Sequence, residues 1–160
     1  MSEIRLRPKT SADQEWTVEF LKRHWNDSRI PLHGDLIDAS LLPAFIAEYE
    51  DEPVGLLVYH FLPDACEIVS LHSLRKRIGI GEALLNRLEE VAKAKGCKKI
   101  KCAVGNDNLN ALRFLQKRGF RLSALNVNAM EAARKQNPAL SLAGEYGIPL
   151  RDELVLEKTI

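Results

Sequence analysis

Short apolar runs and longer stretches with helical spacing follow one another along this chain. Runs of apolar residues closed by proline, glycine or acidic turns predict strands. Between the first two of these runs, Asn26–Ser40 is polar and predicts no regular element. The predicted strands are Ile4–Arg7, Phe45–Tyr49, Val54–Phe61, Cys66–Leu71, Lys99–Val104, Phe120–Leu125 and Leu154–Thr159.

Apolar residues at intervals of three and four predict the helices. A capping box of Ser11 and Gln14 predicts the start of the first helix. The apolar face of a second helix, about Gly81 to Lys95, ends at Gly96, which is typical of a helix stop. Further helical segments are predicted at Asn108–Lys117 and Glu131–Lys135. This order predicts one α/β domain over residues 1–160 with a mixed sheet.

The segment between the strand that carries Glu67 and the second helix predicts a phosphate site. Its loop Arg75-Lys76-Arg77-Ile78-Gly79-Ile80-Gly81 combines three consecutive cations with two glycines. Glycine permits a tight turn and a close ligand approach, and the unpaired amides at a helix start attract anions. A dinucleotide-binding fold would need a third glycine and a P-loop would need Gly-Lys-Ser/Thr, so neither pattern matches.

Composition limits the other classes of function. The chain has 23 basic and 22 acidic residues, which argues against nucleic-acid or membrane-surface binding. The lysines beyond position 90 are interpreted as the solvated face of a helix. Cys66, Cys97 and Cys102 lack metal-ligand spacing, so no metal is expected, and reduced thiols predict a cytoplasmic protein. No leader or membrane span is recognisable in the sequence.

Two motifs together resemble the GNAT superfamily of N-acetyltransferases. The loop residues Lys76 to Gly81 are similar to the family's acyl-CoA signature, Gln/Arg-x-x-Gly-x-Gly/Ala. Asn108-Leu109-Asn110-Ala111 and Gly119-Phe120 match its second signature. The resemblance implies a mixed, mostly antiparallel central sheet flanked by helices on both faces. It also implies acetyl transfer from acetyl-CoA to an amine.

The resemblance implies roles for several residues. The backbone of Leu71 would bind the pantetheine arm and its amide would stabilise the oxyanion. His72 and Ser73 would lie beside that arm, and amides in the Arg77–Glu82 segment would hold the pyrophosphate. The implied cofactor-binding residues are Leu71, His72, Ser73, Lys76, Arg77, Ile78, Gly79, Ile80, Gly81, Glu82, Asn108, Ala111 and Phe114.

The chain departs from the family pattern at two positions. Lys76 replaces the usual Gln or Arg, so it supplies a cation without a bidentate fork. Leu115 stands where many members carry a tyrosine that protonates the leaving thiolate. The missing hydroxyl keeps a second interpretation open, a catalytically weak or inactive module that binds or senses acyl-CoA.

Two residues are candidates for the base that deprotonates the acceptor amine. Glu67 is the first, because several family members place a catalytic glutamate on this strand; the alternative is a glutamate that forms a salt bridge at the sheet surface. His72 is the second, because an unperturbed imidazole suits proton transfer, although it can equally be a hydrogen-bonding residue at a strand end. Strand alternation places the two on opposite faces unless a bulge intervenes.

The acceptor itself is not identified by the sequence. Small-molecule amines and peptide amines both remain open as acceptors. Members of this fold often pair through C-terminal strands, so a homodimer is compatible with the resemblance. The candidates for acceptor recognition are Trp25, the His33–Asp35 loop, Glu145, Tyr146 and Asp152, with core packing or solvation as the alternative.

Overall fold

A computed structural model describes residues 3–141 and 143–160. The chain divides into two compact units. The first contains the chain up to Arg29, Asp38–Ile100 and Ile160, and the second contains Ile30–Ile37 and Lys101–Thr159. The single domain predicted over residues 1–160 stays a prediction.

The first unit is built on four antiparallel strands in the order β1-β4-β5-β6. Leu57 pairs with Leu71 and Ile46 pairs with Leu56, so the middle of the sheet is a continuous apolar layer. These strands are β1 (Ile4–Pro8), β4 (Ala44–Tyr49), β5 (Glu52–Phe61) and β6 (Ala65–Ser73).

Two helices cover opposite faces of these strands, as predicted. Helix α1 is Gln14–Trp25 and helix α2 is Ile80–Ala94. A Cβ atom on Gly55 would meet Ile80 and Leu84 of α2, so α2 packs against the face that carries Gly55. The other face carries Ser70, which accepts a hydrogen bond from Trp25 of α1.

The first helix begins differently from the prediction. The capping box is formed by Thr10 and Asp13, and Ser11–Asp13 is a 3-10 turn that leads into α1. The Thr10 amide donates to Asp13 Oδ2 at 2.8 Å. The prediction of Ser11 with Gln14 was therefore wrong by one residue. An acidic side chain satisfies the first amides better than the amide of Gln14 would.

The segment predicted to be irregular contains a two-stranded hairpin. Strand β2 is Arg29–Leu32, strand β3 is Asp35–Asp38, and the two form a separate small sheet. The turn residues His33 and Gly34 have φ of 54° and 82°. Two consecutive left-handed residues are the geometry of a tight two-residue hairpin turn.

The second unit contains the hairpin tip together with the C-terminal strands and helices. Its strands have the order β7-β9-β8, and β8 pairs with β9 in antiparallel register. A Cβ atom on Gly34 would lie 3.4 Å from the Ala132 Cβ atom, which places the hairpin turn against α4. The elements are β7 (Lys99–Gly105), α3 (Leu109–Lys117), β8 (Arg121–Asn126), α4 (Ala129–Gln136) and β9 (Glu153–Thr159).

Candidate functional site

The predicted phosphate loop ends in a left-handed glycine at the start of α2. Gly79 has φ of 84° and precedes Ile80, the first helical residue. The Ala83 amide donates the first helical hydrogen bond to the Gly79 carbonyl at 3.0 Å. The amides of Ile80 and Gly81 therefore have no acceptor within the helix. Such a helix start suits an anionic ligand.

The three cations of the loop have different surroundings. Arg75 is directed toward β4, with its guanidinium carbon 5.0 Å from the Tyr49 ring centroid and Nη1 3.9 Å from Glu50. Lys76 and Arg77 are exposed and form no ion pair within residues 3–141 and 143–160. Arg77 also has a positive φ of 66°. Two of the three cations are thus available to a phosphate.

The end of β6 leads directly into this loop. Leu71, His72 and Ser73 are half-buried. The Leu74 amide donates to the Val54 carbonyl at 2.6 Å, and the Ser73 hydroxyl donates to the Arg75 carbonyl at 3.0 Å. These bonds fix the start of the loop to β5 and to its own backbone.

A β-bulge in β6 changes which side chains share a face. Val58 pairs with Ser70 but Tyr59 pairs with Ile68, so Val69 is the extra residue on β6. His60 pairs with Glu67 and Leu56 pairs with His72, and residues 56 and 60 lie on one face of β5. Glu67 and His72 therefore lie on the same face. The predicted placement on opposite faces applied only without a bulge, and a bulge lies between the two residues.

His72 lies in an aromatic cluster with the end of α1. Its ring stacks on His24 with centroids 4.4 Å apart and meets Trp25 edge-on at 5.8 Å. Burial, with a smaller contribution from the nearby His24, lowers the pKa of His72 to about 4. His72 is therefore neutral at neutral pH and can accept or donate a hydrogen bond.

Glu67 is 2 % exposed and forms a short contact with His60, which is not among the predicted site residues. His60 Nε2 lies 2.6 Å from Glu67 Oε1. The alternative interpretation of Glu67 was a salt bridge at the sheet surface. His60 is a partner for such a salt bridge, but Glu67 is buried and does not lie at the surface. A signal for His60 was available, because a short turn after Phe61 fixes the pairing of residues on either side of it.

In the second unit, the predicted Asn-x-x-Ala motif forms the start of α3. Asn108 caps the helix by accepting from the Ala111 amide at 3.2 Å. This contact uses Oδ1 and leaves the Asn108 Nδ2 group for a ligand. Ala111 and Phe114 are half-buried, and the Arg118 guanidinium carbon lies 3.8 Å from the Phe114 ring centroid.

Leu115 is 2 % exposed and packs in the interior of the second unit. The position that carries a tyrosine in many family members is thus filled by an apolar side chain. A phenolic hydroxyl does occur near the same helix. Tyr146 is 64 % exposed and its hydroxyl donates to Asn110 Oδ1 at 3.0 Å.

The loop that carries Tyr146 is held by two residues that follow β7. Asp107 Oδ2 accepts from the Glu145 amide at 2.9 Å, and Asn106 Nδ2 donates to the Pro149 carbonyl at 2.9 Å. Asp152 Oδ1 accepts from the Asn128 amide at 2.8 Å. The Asp152 carboxylate therefore already has a structural partner, whereas the Glu145 side chain is exposed.

The His33–Asp35 turn is attached to a buried carboxylate. The His33 amide donates to Glu153 Oε2 at 2.9 Å, and His33 Nδ1 lies 2.9 Å from Oε1. Asn126 Nδ2 donates to the same Oε1 at 2.7 Å. Glu153 is 2 % exposed. This glutamate was not predicted, because nothing in the sequence separates it from its solvated neighbours.

Two kinds of site are missing from the described residues. None of the helices in residues 3–141 and 143–160 is long and apolar enough to span a membrane. Over the same ranges, His, Cys, Asp and Glu side chains do not form a group of three or more that could hold a metal ion.

Comparisons with known proteins identify relatives over nearly the whole chain. Residues 6–120 match the family described as Acetyltransferase (GNAT) family. YxbD of Bacillus subtilis (strain 168) is 38% identical over 158 residues, which is 98% of this chain and 99% of YxbD.

Solved structures give the same fold. A GNAT family acetyltransferase from Elizabethkingia anophelis with acetyl-CoA bound has a TM-score of 0.70 and 23% identity, and the match covers 98% of each chain. Arabidopsis thaliana Naa50, in complex with a bisubstrate analogue, has a TM-score of 0.73 and 20% identity over 98% of this chain and 99% of Naa50. The predicted fold class, α/β with a mostly antiparallel sheet flanked by helices, is confirmed.

Proposed function

Because this chain belongs to the GNAT family of acetyltransferases, we propose that it transfers an acetyl group from acetyl-CoA to a primary amine by direct attack on the thioester. Acetyl-CoA is the cosubstrate. The observation that carries the proposal is the start of α2, where Gly79 turns the chain so that a row of helix amides has no intrahelical acceptor. Lys76 and Arg77 stand beside these amides in the sequence and are exposed.

The loop and the end of β6 bind the donor. The amides of the Arg77–Glu82 segment hold the pyrophosphate, and Lys76 and Arg77 neutralise its charge. The backbone of Leu71 to Ser73 pairs with the pantetheine arm. In the second unit, Asn108, Ala111 and Phe114 stay predicted cofactor-binding residues.

The reaction requires three actions from the protein. The Leu71 amide donates to the thioester oxygen as negative charge develops there. Glu67 helps to remove a proton from the acceptor ammonium, because an ammonium has no lone pair with which to attack. His72, neutral because its pKa is lowered to about 4, offers hydrogen bonding beside the reacting carbonyl and does not hold the proton at neutral pH.

The acceptor is a small-molecule amine or a peptide amine. Naa50 was solved with an analogue that joins CoA to the peptide MVNAL, which supports a peptide amine as one of the two classes. The His33–Asp35 turn and Tyr146 stay candidates for acceptor recognition. Cys66, Cys97 and Cys102 form no disulfide within residues 3–141 and 143–160, which fits a reducing, cytoplasmic compartment.

We propose also that two copies pair through β8. This strand is exposed along its length and hydrogen-bonds to β9. Leu122, Leu125 and Val127 are 55%, 56% and 67% exposed. A second copy would cover these apolar side chains. Sedimentation equilibrium should give a dimer, and a monomer at micromolar concentrations would exclude it.

A thiol-release assay tests the activity. Acetyl-CoA is incubated with the protein and a panel of small amines and peptides with free N-termini, and free CoA thiol is measured with the acetylated product. The expected result is thiol release that depends on the amine and equals the product formed. Tight CoA binding without thiol release for any amine would overturn the proposed activity.

A second function, binding or sensing of acyl-CoA without turnover, is favoured by one observation. Leu115 is buried at the position where many family members carry a tyrosine, so the usual proton donor for the thiolate is absent. A thiolate is a good leaving group without protonation, because a thiol pKa is about 8.5. The same assay separates the two functions, because a sensor shows CoA binding alone.

The loop cations give a direct prediction. Changing both Lys76 and Arg77 to alanine should raise the Kd for CoA about tenfold or more, because each charged hydrogen bond to phosphate contributes about 1.5–3 kcal/mol. Isothermal titration calorimetry measures this change. The matched control removes two cations near the opposite end of α2, Lys93 and Lys95. An equal loss in this control would point to net charge and not to the loop.

A further inference from the structure

A histidine and a buried carboxylate form a pair on the face of β6 that carries His72. His60 and Glu67 are directly opposite each other in the β5–β6 register. Their side chains meet at 2.6 Å, and the exposed fractions are 24% for His60 and 2% for Glu67. Glu67 is therefore screened from solvent and His60 is the member of the pair that a water or a substrate can reach.

The contact fixes the proton on the imidazole ring. An ionised carboxylate can only accept a hydrogen bond, so Nε2 must carry the hydrogen that it donates to Glu67. The Nδ1 atom of a neutral ring then has a free lone pair. Within the part of the chain that the structure describes, His60 makes a hydrogen bond only through Nε2. The pair thus presents an imidazole with an available basic nitrogen.

We propose that His60 Nδ1 is the proton acceptor for the amine and that Glu67 is its positioning residue. This proposal rests on the proposed acetyl transfer and assigns the basic group within it. Glu67 selects the Nε2–H tautomer and then stabilises the imidazolium that forms, as a buried carboxylate does in other His–carboxylate pairs. It does not meet the substrate itself.

The proton and electron balance of the step is complete. The ammonium of the acceptor gives one proton to His60 Nδ1, through at most one water. The freed nitrogen lone pair forms a bond to the thioester carbonyl carbon, and the C–S bond breaks when the intermediate collapses. The sulfur leaves with the electron pair and takes the second nitrogen proton as the amide forms. His60 then returns its proton to solvent.

The other titratable groups on this face do not fill the same role. Helix α1 contributes His24, whose Nδ1 lies 3.0 Å from the Phe20 carbonyl, and β6 contributes His72, which stacks on His24. Burial keeps His72 neutral at neutral pH because its pKa is about 4. A group with so low a pKa is a weak base, so at neutral pH it is poorly suited to take a proton from an ammonium.

The test compares His60→Gln and Glu67→Gln with the wild type across pH 6 to 9. His60→Gln should lower kcat about 100-fold or more at neutral pH, as expected for the loss of a general base. The KM for acetyl-CoA should not change. The inflection that the proton-accepting group gives to the plot of kcat against pH should disappear. Added imidazole should restore part of the rate. Glu67→Gln should lose less of kcat than His60→Gln does. His24→Gln should keep the wild-type inflection in the plot of kcat against pH.

Three outcomes would decide against the proposal. A His60→Gln variant that folds, binds CoA and keeps the wild-type pH profile would overturn it. So would a Glu67→Gln variant that loses all activity while His60→Gln does not, because the carboxylate would then act alone. Should both substitutions prevent folding, NMR titration of the wild-type His60 ring must show protonation in the pH interval of the kcat profile; its absence would also overturn the role. Absence of wild-type turnover with every amine contradicts the proposed function instead.

Discussion

Replacing Glu153 by alanine is expected to lower the free energy of unfolding by about 1–3 kcal/mol, because the polar groups that donate to this buried carboxylate lose their acceptor. The carboxylate is 2 % exposed and accepts from the His33 amide and from Asn126, with His33 Nδ1 also in contact. Alanine removes the acceptor of the His33 amide and of Asn126 Nδ2. The hairpin turn should lose its attachment in the second unit.

Urea unfolding followed by circular dichroism measures this change. Glu145→Ala is the control, since its side chain is exposed and the expected change is within about 0.5 kcal/mol. Asn126→Ala removes one donor and should cost less than Glu153→Ala. A Glu153→Ala variant as stable as the wild type would show that water replaces the carboxylate in the cluster.

The second large effect is expected at Gly55. A Cβ atom at this position would lie 2.6 Å from Ile80 Cγ2 and 3.3 Å from Leu84 Cδ1. Gly55→Ala should therefore displace the first turn of α2 and lower stability by about 1–3 kcal/mol, which is typical of overpacking. Because Ile80 follows Gly79 directly, CoA affinity should fall as well. Calorimetry of CoA binding and urea unfolding measure the two effects.

Gly96 supplies a matched control for this substitution. It has φ of 86°, and a Cβ atom there would meet no described atom within 4 Å, so alanine adds backbone strain of about 1–2 kcal/mol without a clash. Both variants should lose stability, but only Gly55→Ala should lose CoA affinity. Unchanged CoA affinity in Gly55→Ala would mean that Ile80 yields without moving the loop.

Much of the fold was predictable because its periodic segments are long. The apolar residues of β5 and of α2 indicate a buried strand and an amphipathic helix, and both elements begin or end within two residues of the prediction. The glycines of the loop predicted a tight turn, and Gly79 has a positive φ there. Local chemistry determines these features, so a single sequence is sufficient to find them.

The parts that were missed depend on contacts between particular side chains that fold together across turns and strands. The hairpin of β2 and β3 has only four residues in each strand, and its tip is attached to Glu153, 120 residues beyond His33. The pairing of His60 with Glu67 depends on the register of two strands. Neither contact leaves a periodic signal, since it involves one side chain at one place.

The extra residue at Val69 has a consequence for comparing this chain with its relatives. In a strand that keeps the sequence spacing of Glu67 and His72 but pairs without a bulge, simple alternation would place the two side chains on opposite faces. Two proteins with identical residues at these positions can therefore differ in which side chains share a face. Equivalent positions in this family should be assigned by strand pairing, and not by counting from the glycines of the loop.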